Sequence, residues 1–174
     1  MKLLSLVLLV FVLALPFAAA SDQFYLSVKG QKQGVINGDA TAAGWENSIE
    51  VLAFSFGASS PRDAGSGMAT GKTQFQPFVV TKRIDKSSPQ LFQALTTGEN
   101  LPDVKLSLVG TDRTGKDLAY YTVTLTNAAI TGITDTYDPS DGLPPHEAVS
   151  FTYQKIQVQY AGGAVATADA VSTV

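Results

Sequence analysis

The chain has 174 residues, the length of one ordinary domain, and is 45% hydrophobic and 16% charged, a balance that folds. It carries no cysteine and one histidine, His146, which excludes disulfide scaffolds, thiolate metal sites and cysteine nucleophiles and makes a histidine relay a poor prospect. Twelve Lys+Arg against 15 Asp+Glu give a formal charge of −3, the wrong sign for a nucleic-acid surface.

Residues 1–20 read as a secretory signal peptide. Met1-Lys2 is a short positive start, and Leu3 to Leu15 is an apolar run interrupted only by Ser5. Pro16 and Phe17 follow, and Ala18-x-Ala20 supplies the small side chains of a cleavage site. The run is too short for a spanning helix, so stable membrane insertion is not expected. Cleavage after Ala20 would remove Lys2 and leave the mature chain at −4. Residues 21–161 are expected to form one β domain, and residues 162–174, small and polar, a loose tail.

Phe24, Leu26 and Val28 alternate with Tyr25, Ser27 and Lys29, the period of a half-buried strand. Gly34 to Gly44 is turn-rich and leads to Trp45. Between Ser48 and Gly57, Leu52, Phe54 and Phe56 share one face while Ile49, Val51 and Ala53 share the other. Apolar residues on both faces predict burial on both sides, or one side facing a neighbouring subunit. Thr73 to Thr81 is a further strand in which Pro77 marks an edge or a bulge. Ser88 as N-cap, Pro89 at the first helical position and Gly98 past the end bracket a short helix with Leu91, Phe92 and Leu95 as its apolar stripe.

Strands resume at Val104 to Thr111. They turn at Asp112-Arg113-Thr114-Gly115, return over Leu118 to Leu125, and continue over Ile130 to Tyr137. After a Pro-rich loop, Val149 to Tyr160 changes phase: Val149, Phe151 and Tyr153 are odd-numbered, Ile156, Val158 and Tyr160 even. One inserted residue near Gln154 or Lys155 is expected, a bulge where the strand rounds a barrel corner. The whole predicts a mainly β chain, a compact β-barrel or two-sheet antiparallel fold with one short flanking helix.

Few residues are equipped for chemistry. His146 sits in Pro144-Pro145-His146-Glu147, where its acidic neighbour points to the opposite face. Asp135, Asp138 and Asp141 with Gly142 lack the alternating ligands and terminal glutamate of an EF-hand loop. Gly65, Gly67 and Gly71-Lys72-Thr73 miss the phosphate-loop spacing by one residue in either direction and lead into a strand. Trp45, Tyr120, Tyr121, Tyr153 and Tyr160 would make a sugar-stacking platform if they shared a surface; aromatic residues in strands usually pack in cores. No cofactor, no metal and no catalytic residue is expected.

The run Phe78-Val79-Val80-Thr81-Lys82-Arg83-Ile84-Asp85-Lys86-Ser87-Ser88-Pro89-Gln90-Leu91-Phe92, followed by Leu95 and Gly98, resembles the Hcp family, the haemolysin-coregulated tube proteins of type VI secretion. The likeness extends to Phe24-Tyr25-Leu26, Lys29-Gly30, Ile49 to Phe56, Tyr120-Tyr121, Leu125, Ala128, Ile130 and Pro144, with Glu147 leading to Val149-Ser150-Phe151-Thr152-Tyr153-Gln154-Lys155-Ile156. It implies a small β-barrel, a homo-hexameric ring that stacks into a tube, small effectors in its lumen, and tip and sheath proteins as partners. Ala58 to Thr70 occupies the place of the family's extended loop, so the resemblance implies that Ser60, Pro61, Arg62, Asp63 and Met68 meet a neighbouring subunit. A signal peptide departs from the family's habit of assembling inside the cell before firing, and implies an exported relative, periplasmic or extracellular. The competing expectation is an exported, non-enzymatic β-domain that binds a ligand such as a glycan without assembling.

Overall fold

Ten strands and one helix succeed one another among the residues described by the computed structural model, which are 22–111, 115–140, 142–161 and 163–170. They are β1 (Gln23–Gly30), β2 (Gly34–Ile36), β3 (Ile49–Ser55), β4 (Ala58–Ser59), β5 (Gln74–Phe75), β6 (Phe78–Arg83), α1 (Ser88–Thr97), β7 (Leu101–Thr111), β8 (Asp117–Thr136), β9 (His146–Tyr160) and β10 (Ala164–Asp169). Hydrogen bonding runs β9–β6–β3–β1–β7–β8 and back to β9, closing a six-stranded antiparallel barrel. Closure leaves those six strands without an open edge. The mainly β, barrel-with-one-helix expectation therefore holds.

Inside lies one apolar cluster that includes Leu26, Val28, Ile49, Val51, Phe78, Val80, Leu106, Leu125 and Phe151. A smaller cluster sits on the outer side of β1, where Tyr25 stacks on Trp45 with ring centroids 5.1 Å apart beside Val109 and Ala40. This is why Tyr25, predicted to face solvent, is buried.

The two apolar faces of β3 follow from a register shift. The strand's pairing with β6 shifts register between Val51 and Ala53. Ile49 and Val51 are buried before the shift; after it Phe54 and Phe56 turn inward to pack with Phe78 at 6.4 and 5.8 Å. The extra residue moves the even-numbered side chains onto the core face, so one core accommodates both sets.

The phase change in β9 falls where predicted, but no residue is inserted there. Thr126 pairs with Lys155 and Ala128 with Tyr153 in unbroken register, and the shift in this ladder lies between Ile130 and Gly132. Instead, Asn127, with φ +50°, and Gln154 face each other, and the Asn127 amide donates to the Gln154 side-chain oxygen at 3.1 Å. Buried positions switch from Val123 and Leu125 to Ala128 and Ile130 on β8, and from Leu101 to Val104 on β7. Three strands bend at one row, Pro102–Asn127–Gln154. The two strands expected over 118–125 and 130–137 are for that reason one, β8.

The expected loose tail is corrected for Ala164–Asp169, which pairs along the last third of β9, from Tyr160 back to Lys155. β10 and β6 lie end to end on the same edge of β9. Of the turn expected at 112–115, residues 112–114 lie outside the described residues, and Gly115 has φ +82°.

Helix α1 starts one residue earlier than predicted. Ser87 is the N-cap, without a side-chain capping bond, and Gly98 ends the helix in the left-handed region at φ +59°. Its buried residues are Leu91 and Ala94, whereas Phe92, one position round the helix from Leu91, is 58% exposed. Ser88, expected to cap, instead joins a buried polar cluster. Its hydroxyl donates to Glu147 Oε1 at 2.7 Å and accepts from Lys82 Nζ at 3.1 Å and the Asp85 amide at 3.0 Å. Lys82 Nζ lies 2.5 Å from Glu147 Oε1 and 2.9 Å from Asp85 Oδ1, with the Lys82 side chain fully inaccessible. At the other end of the helix, Glu99 Oε1 accepts the Lys32 and Gln33 amides at 2.6 and 2.9 Å. Gly30 makes room for it: a Cβ there would stand 2.5 Å from that oxygen.

Glu147→Ala would strand a buried ammonium, and about 3–5 kcal/mol of stability should be lost in urea unfolding. The triple change Lys82→Met, Glu147→Leu and Asp85→Asn should recover most of it, because neither the ammonium nor the Asp85 carboxylate beside it is then left uncompensated. A triple change as damaging as the single would show that these groups are not coupled.

The Gln33 amide, opposed by burial and helped by the Gln33 side chain and the Lys32 amide, holds the Glu99 carboxyl below its ordinary pKa. Asp85, despite burial, is likewise held down by hydrogen bonds from Ser87 and Lys82. Depressed carboxylates contribute stability above their unfolded pKa values, near 4, and lose it as pH falls through the folded ones. The urea midpoint should therefore drop below about pH 4, with a shallower drop in Glu99→Gln.

Candidate assembly interface

Between β3 and β6 the chain leaves the barrel and returns as a hairpin arm. β4 pairs with β5 through Ala58–Phe75 and Ser59–Gln74, and an isolated bridge joins Arg62 to Ala69. The Asp63 amide donates to Met68 O at 2.9 Å and the Thr70 amide to Pro61 O at 3.0 Å, carrying the pairing toward the tip. The tip closes on Asp63. Its Oδ1 accepts the Gly65 amide at 3.1 Å, the Ser66 amide at 2.7 Å and the Ser66 hydroxyl at 2.8 Å, while Gly67 turns the chain at φ +69°. The Ser66 amide and hydroxyl, then the Gly65 amide, hold the Asp63 carboxyl below its ordinary pKa.

All five residues predicted to meet a neighbour therefore lie on this arm. Ser60, Arg62, Asp63 and Met68 are exposed and Pro61 is half-buried. Arg62 and Asp63 do not pair with each other: consecutive extended residues point apart, and Arg62 Nη1 instead donates to Gly67 O at 3.1 Å. The segment in the place of the family's extended loop is an ordered hairpin whose backbone bonds join its own two legs. Met68, near the tip, is 71% exposed.

The other candidate residues are scattered. Trp45 is committed to Tyr25, Tyr153 is buried against Phe75, and Tyr120 meets Tyr160 edge-on at 6.5 Å, so the five aromatic residues form no shared platform. His146 sits at the start of β9, opposite Arg83 and Thr136, with Nδ1 2.9 Å from Pro144 O. Asp138 Oδ1 is bonded to the Ser140 amide and hydroxyl at 2.8 and 2.6 Å, the bonding of a turn former; Asp141 lies outside the described residues. Among the described residues no group of three or more His, Asp or Glu side chains is placed to hold a metal ion, and no helix is long and apolar enough to cross a membrane.

The buried Lys82–Asp85–Ser88–Glu147 cluster was not foreseen as a unit, though its signal is present in the sequence. On β6 the inward residues are Phe78, Val80 and Lys82; on β9 they are Glu147, Val149 and Phe151. A cation on one inward face calls for an anion on another, and Lys82 and Glu147 are register partners. The Lys-x-x-Asp-x-x-Ser-Pro spacing is the linear trace of that cluster: it joins the end of β6 to the first residue of α1.

Comparison with known proteins gives a consistent result. The family model described as "Type VI secretion system effector, Hcp" matches residues 25–160. The "Major exported protein" of Pseudomonas aeruginosa is 38% identical over 146 residues, covering 76% of this chain and 85% of that protein. Among solved structures, a mutant form of Hcp1 from E. coli EAEC 042 superposes with a TM-score of 0.78 at 28% identity, covering 86% of this chain and 99% of its own. The secreted protein Hcp3 from Pseudomonas aeruginosa gives 0.69 at 31% identity, covering 84% and 98%. With most of the barrel matched, and with the residues that lock it together inside the matched region, the chain belongs to the Hcp family, the tube proteins of type VI secretion.

Proposed function

We propose that this chain is an exported structural subunit that closes a homo-hexameric ring through its arm, with rings stacking into a tube wide enough to carry small effectors. The observation that carries the reading is the arm itself. Its backbone hydrogen bonds join its own two legs, and Ser60, Arg62, Asp63 and Met68 present their side chains to solvent. A contact between an arm and some other part of the next copy is heterologous, and a heterologous contact that closes gives one discrete ring. Residues 1–20 are read as the leader that directs export and residues 21–161 as the ring-forming domain, with the strand-forming part of 162–174 added to it. The relative's name, "Major exported protein", fits a secreted product. Sheath and tip proteins and small effectors are the partners this role requires.

Purified 21–174 should run in light scattering as a hexamer of about 96 kDa, six chains of ~16 kDa, and show a central hole by negative stain. The double change Arg62→Glu with Met68→Asp should shift it to monomer and leave the urea midpoint unchanged, because neither side chain packs on the barrel. A sharp monomer of the unchanged protein at high concentration and low salt would reject the ring.

A further inference from the structure

β10 has two edges and one partner. Its inner edge runs along β9; among the described residues no strand pairs with its outer edge. One bond settles which groups that edge presents. The Ala170 amide donates to Gln154 O at 2.7 Å, in the register that sets Ala168 opposite Ile156. Every second pair, Ala168–Ile156, Ala166–Val158 and Ala164–Tyr160, therefore carries the ladder bonds. Val165, Thr167 and Asp169 turn their N–H and C=O groups away from β9, and all three residues are exposed. Open edges in native sheets are usually guarded by lysine, proline or a bulge. Ala164–Asp169 has none of these.

Two features of the edge specify what would add to it. On the outward face a cross-strand row runs Lys29, Asp103, Thr126, Lys155, Asp169. It ends at the edge on a carboxylate, so the next place in the row suits a cation. On the opposite face lies an apolar recess of about 180 Å³, lined by Phe56, Phe75, Ile156, Val158, Ala166 and Ala168. The next place on that side suits an apolar side chain.

The arm has this pattern. The Asp63 amide bonds Met68 O and the Thr70 amide bonds Pro61 O, so Arg62 and Ala69 form the non-hydrogen-bonded pair between them. Their own N–H and C=O groups turn outward from the hairpin. Arg62 and Ala69 share one face of it; Pro61, Asp63 and Met68 share the other. With Arg62 laid beside Asp169, Pro61 and Met68 come to the side of the recess. The Arg62 guanidinium spends one donor on Gly67 O and keeps others for a carboxylate.

We infer that the outer edge of β10 receives the first leg of a second copy's arm as an added strand, with Arg62 against Asp169 and Pro61 and Met68 toward the recess. This rests on the ring reading above: the edge is the part of the next copy that the arm meets. Arm and edge are different surfaces of one chain, so the contact is heterologous and repeats from copy to copy. Main-chain bonds carry the contact, and the two kinds of side-chain position set its register.

The chain has no cysteine, so introduced pairs report single contacts. Arg62→Cys is combined in turn with Ala166→Cys, Thr167→Cys, Ala168→Cys and Asp169→Cys in the full chain. The purified proteins are oxidised and the linked peptides identified by mass spectrometry. Strand addition brings opposed Cα atoms to about 5.5 Å, within disulfide reach, with side chains meeting on one face only. Disulfides between chains should therefore alternate, several-fold higher at 167 and 169 than at 166 and 168. Even yields, or none, overturn the pairing. Thr167→Pro removes an N–H that β9 does not use, so the urea midpoint should hold while light scattering shows the ring lost. If the midpoint falls, Asp169→Lys takes its place: it should weaken the ring, and Arg62→Asp added to it should restore the mass. A ring that survives these edge changes gives the arm another seat and overturns this one. Unchanged protein that is monomeric, yet gives alternating disulfides at high concentration, removes the ring and leaves the edge.

Discussion

A lysine and a glutamate facing each other across two strands inside the barrel fix more of this structure than any other contact. Lys82 and Glu147 are register partners on β6 and β9 and both are buried, so a slip of two residues, which keeps both strands' inward sets inward, would still leave each charge without its partner. Apolar neighbours tolerate a slip far better, because Val80 against Val149 is little different from Val80 against Phe151. Ser88 and Asp85 complete the ammonium's hydrogen bonds, and Ser88 is also the first residue of the helix. One charge pair thus sets a strand register and the launch point of α1 together. A buried ion pair is weak evidence for added stability; here its value is specificity, since the alternatives it penalises are close in apolar energy.

The barrel is made from strands whose inward face changes partway along. On β3 the change is a register shift opposite β6; on β7, β8 and β9 it is a shared row at Pro102, Asn127 and Gln154 where register is kept and the backbone bends, Asn127 accepting a positive φ. The two devices solve the same geometric problem, turning a sheet through a closed corner without exposing its core. A bulge does it on one strand at a time. A bent row does it across three strands at once, and allows β8 and β9, 20 and 15 residues long, to run on beyond Ala128 and Phe151, where β7 and β6 stop pairing with them. The surplus length of β9 is what β10 covers, in line with β6.

Strand periodicity was legible wherever one strand served one face. Leu26, Val28 and the paired runs 104–108 and 121–125 are placed by alternation alone. At β3 it left two readings open, burial on both sides or a face toward a neighbouring subunit, because a bulge and a two-sided strand leave the same pattern of side chains; the register shift gives both apolar sets one core. It misled at Ala164–Asp169, whose Ala, Val and Thr residues give no strong alternation; that strand exists because β9 extends beyond β6 and offers an edge. Lys82 and Glu147 were visible as charges at inward positions, but joining them needed the pairing of β6 with β9, which no local window contains. The arm was legible as a segment and not as a hairpin: Asp63-x-x-Ser66 with Gly67 is a turn signature, and its closure on Asp63 Oδ1 is what replaces a flexible loop with an ordered one.

The same closure bears on how the arm can work. A disordered loop that folds on meeting a partner must supply ordering free energy at that moment, which lowers affinity for a given contact area. An arm already folded by its own hydrogen bonds has met most of that cost within the subunit. Its exposed side chains are mostly small or polar, with Met68 as the one large apolar group near the tip, so contact by any single arm would be weak. Weak contacts suit a closed assembly. In a ring each subunit is held on two sides, and losing one means breaking two contacts together, so modest pairwise affinity still gives a persistent whole. The energetics of an ordered, sparsely apolar arm are therefore better matched to cyclic repetition than to a tight one-to-one complex.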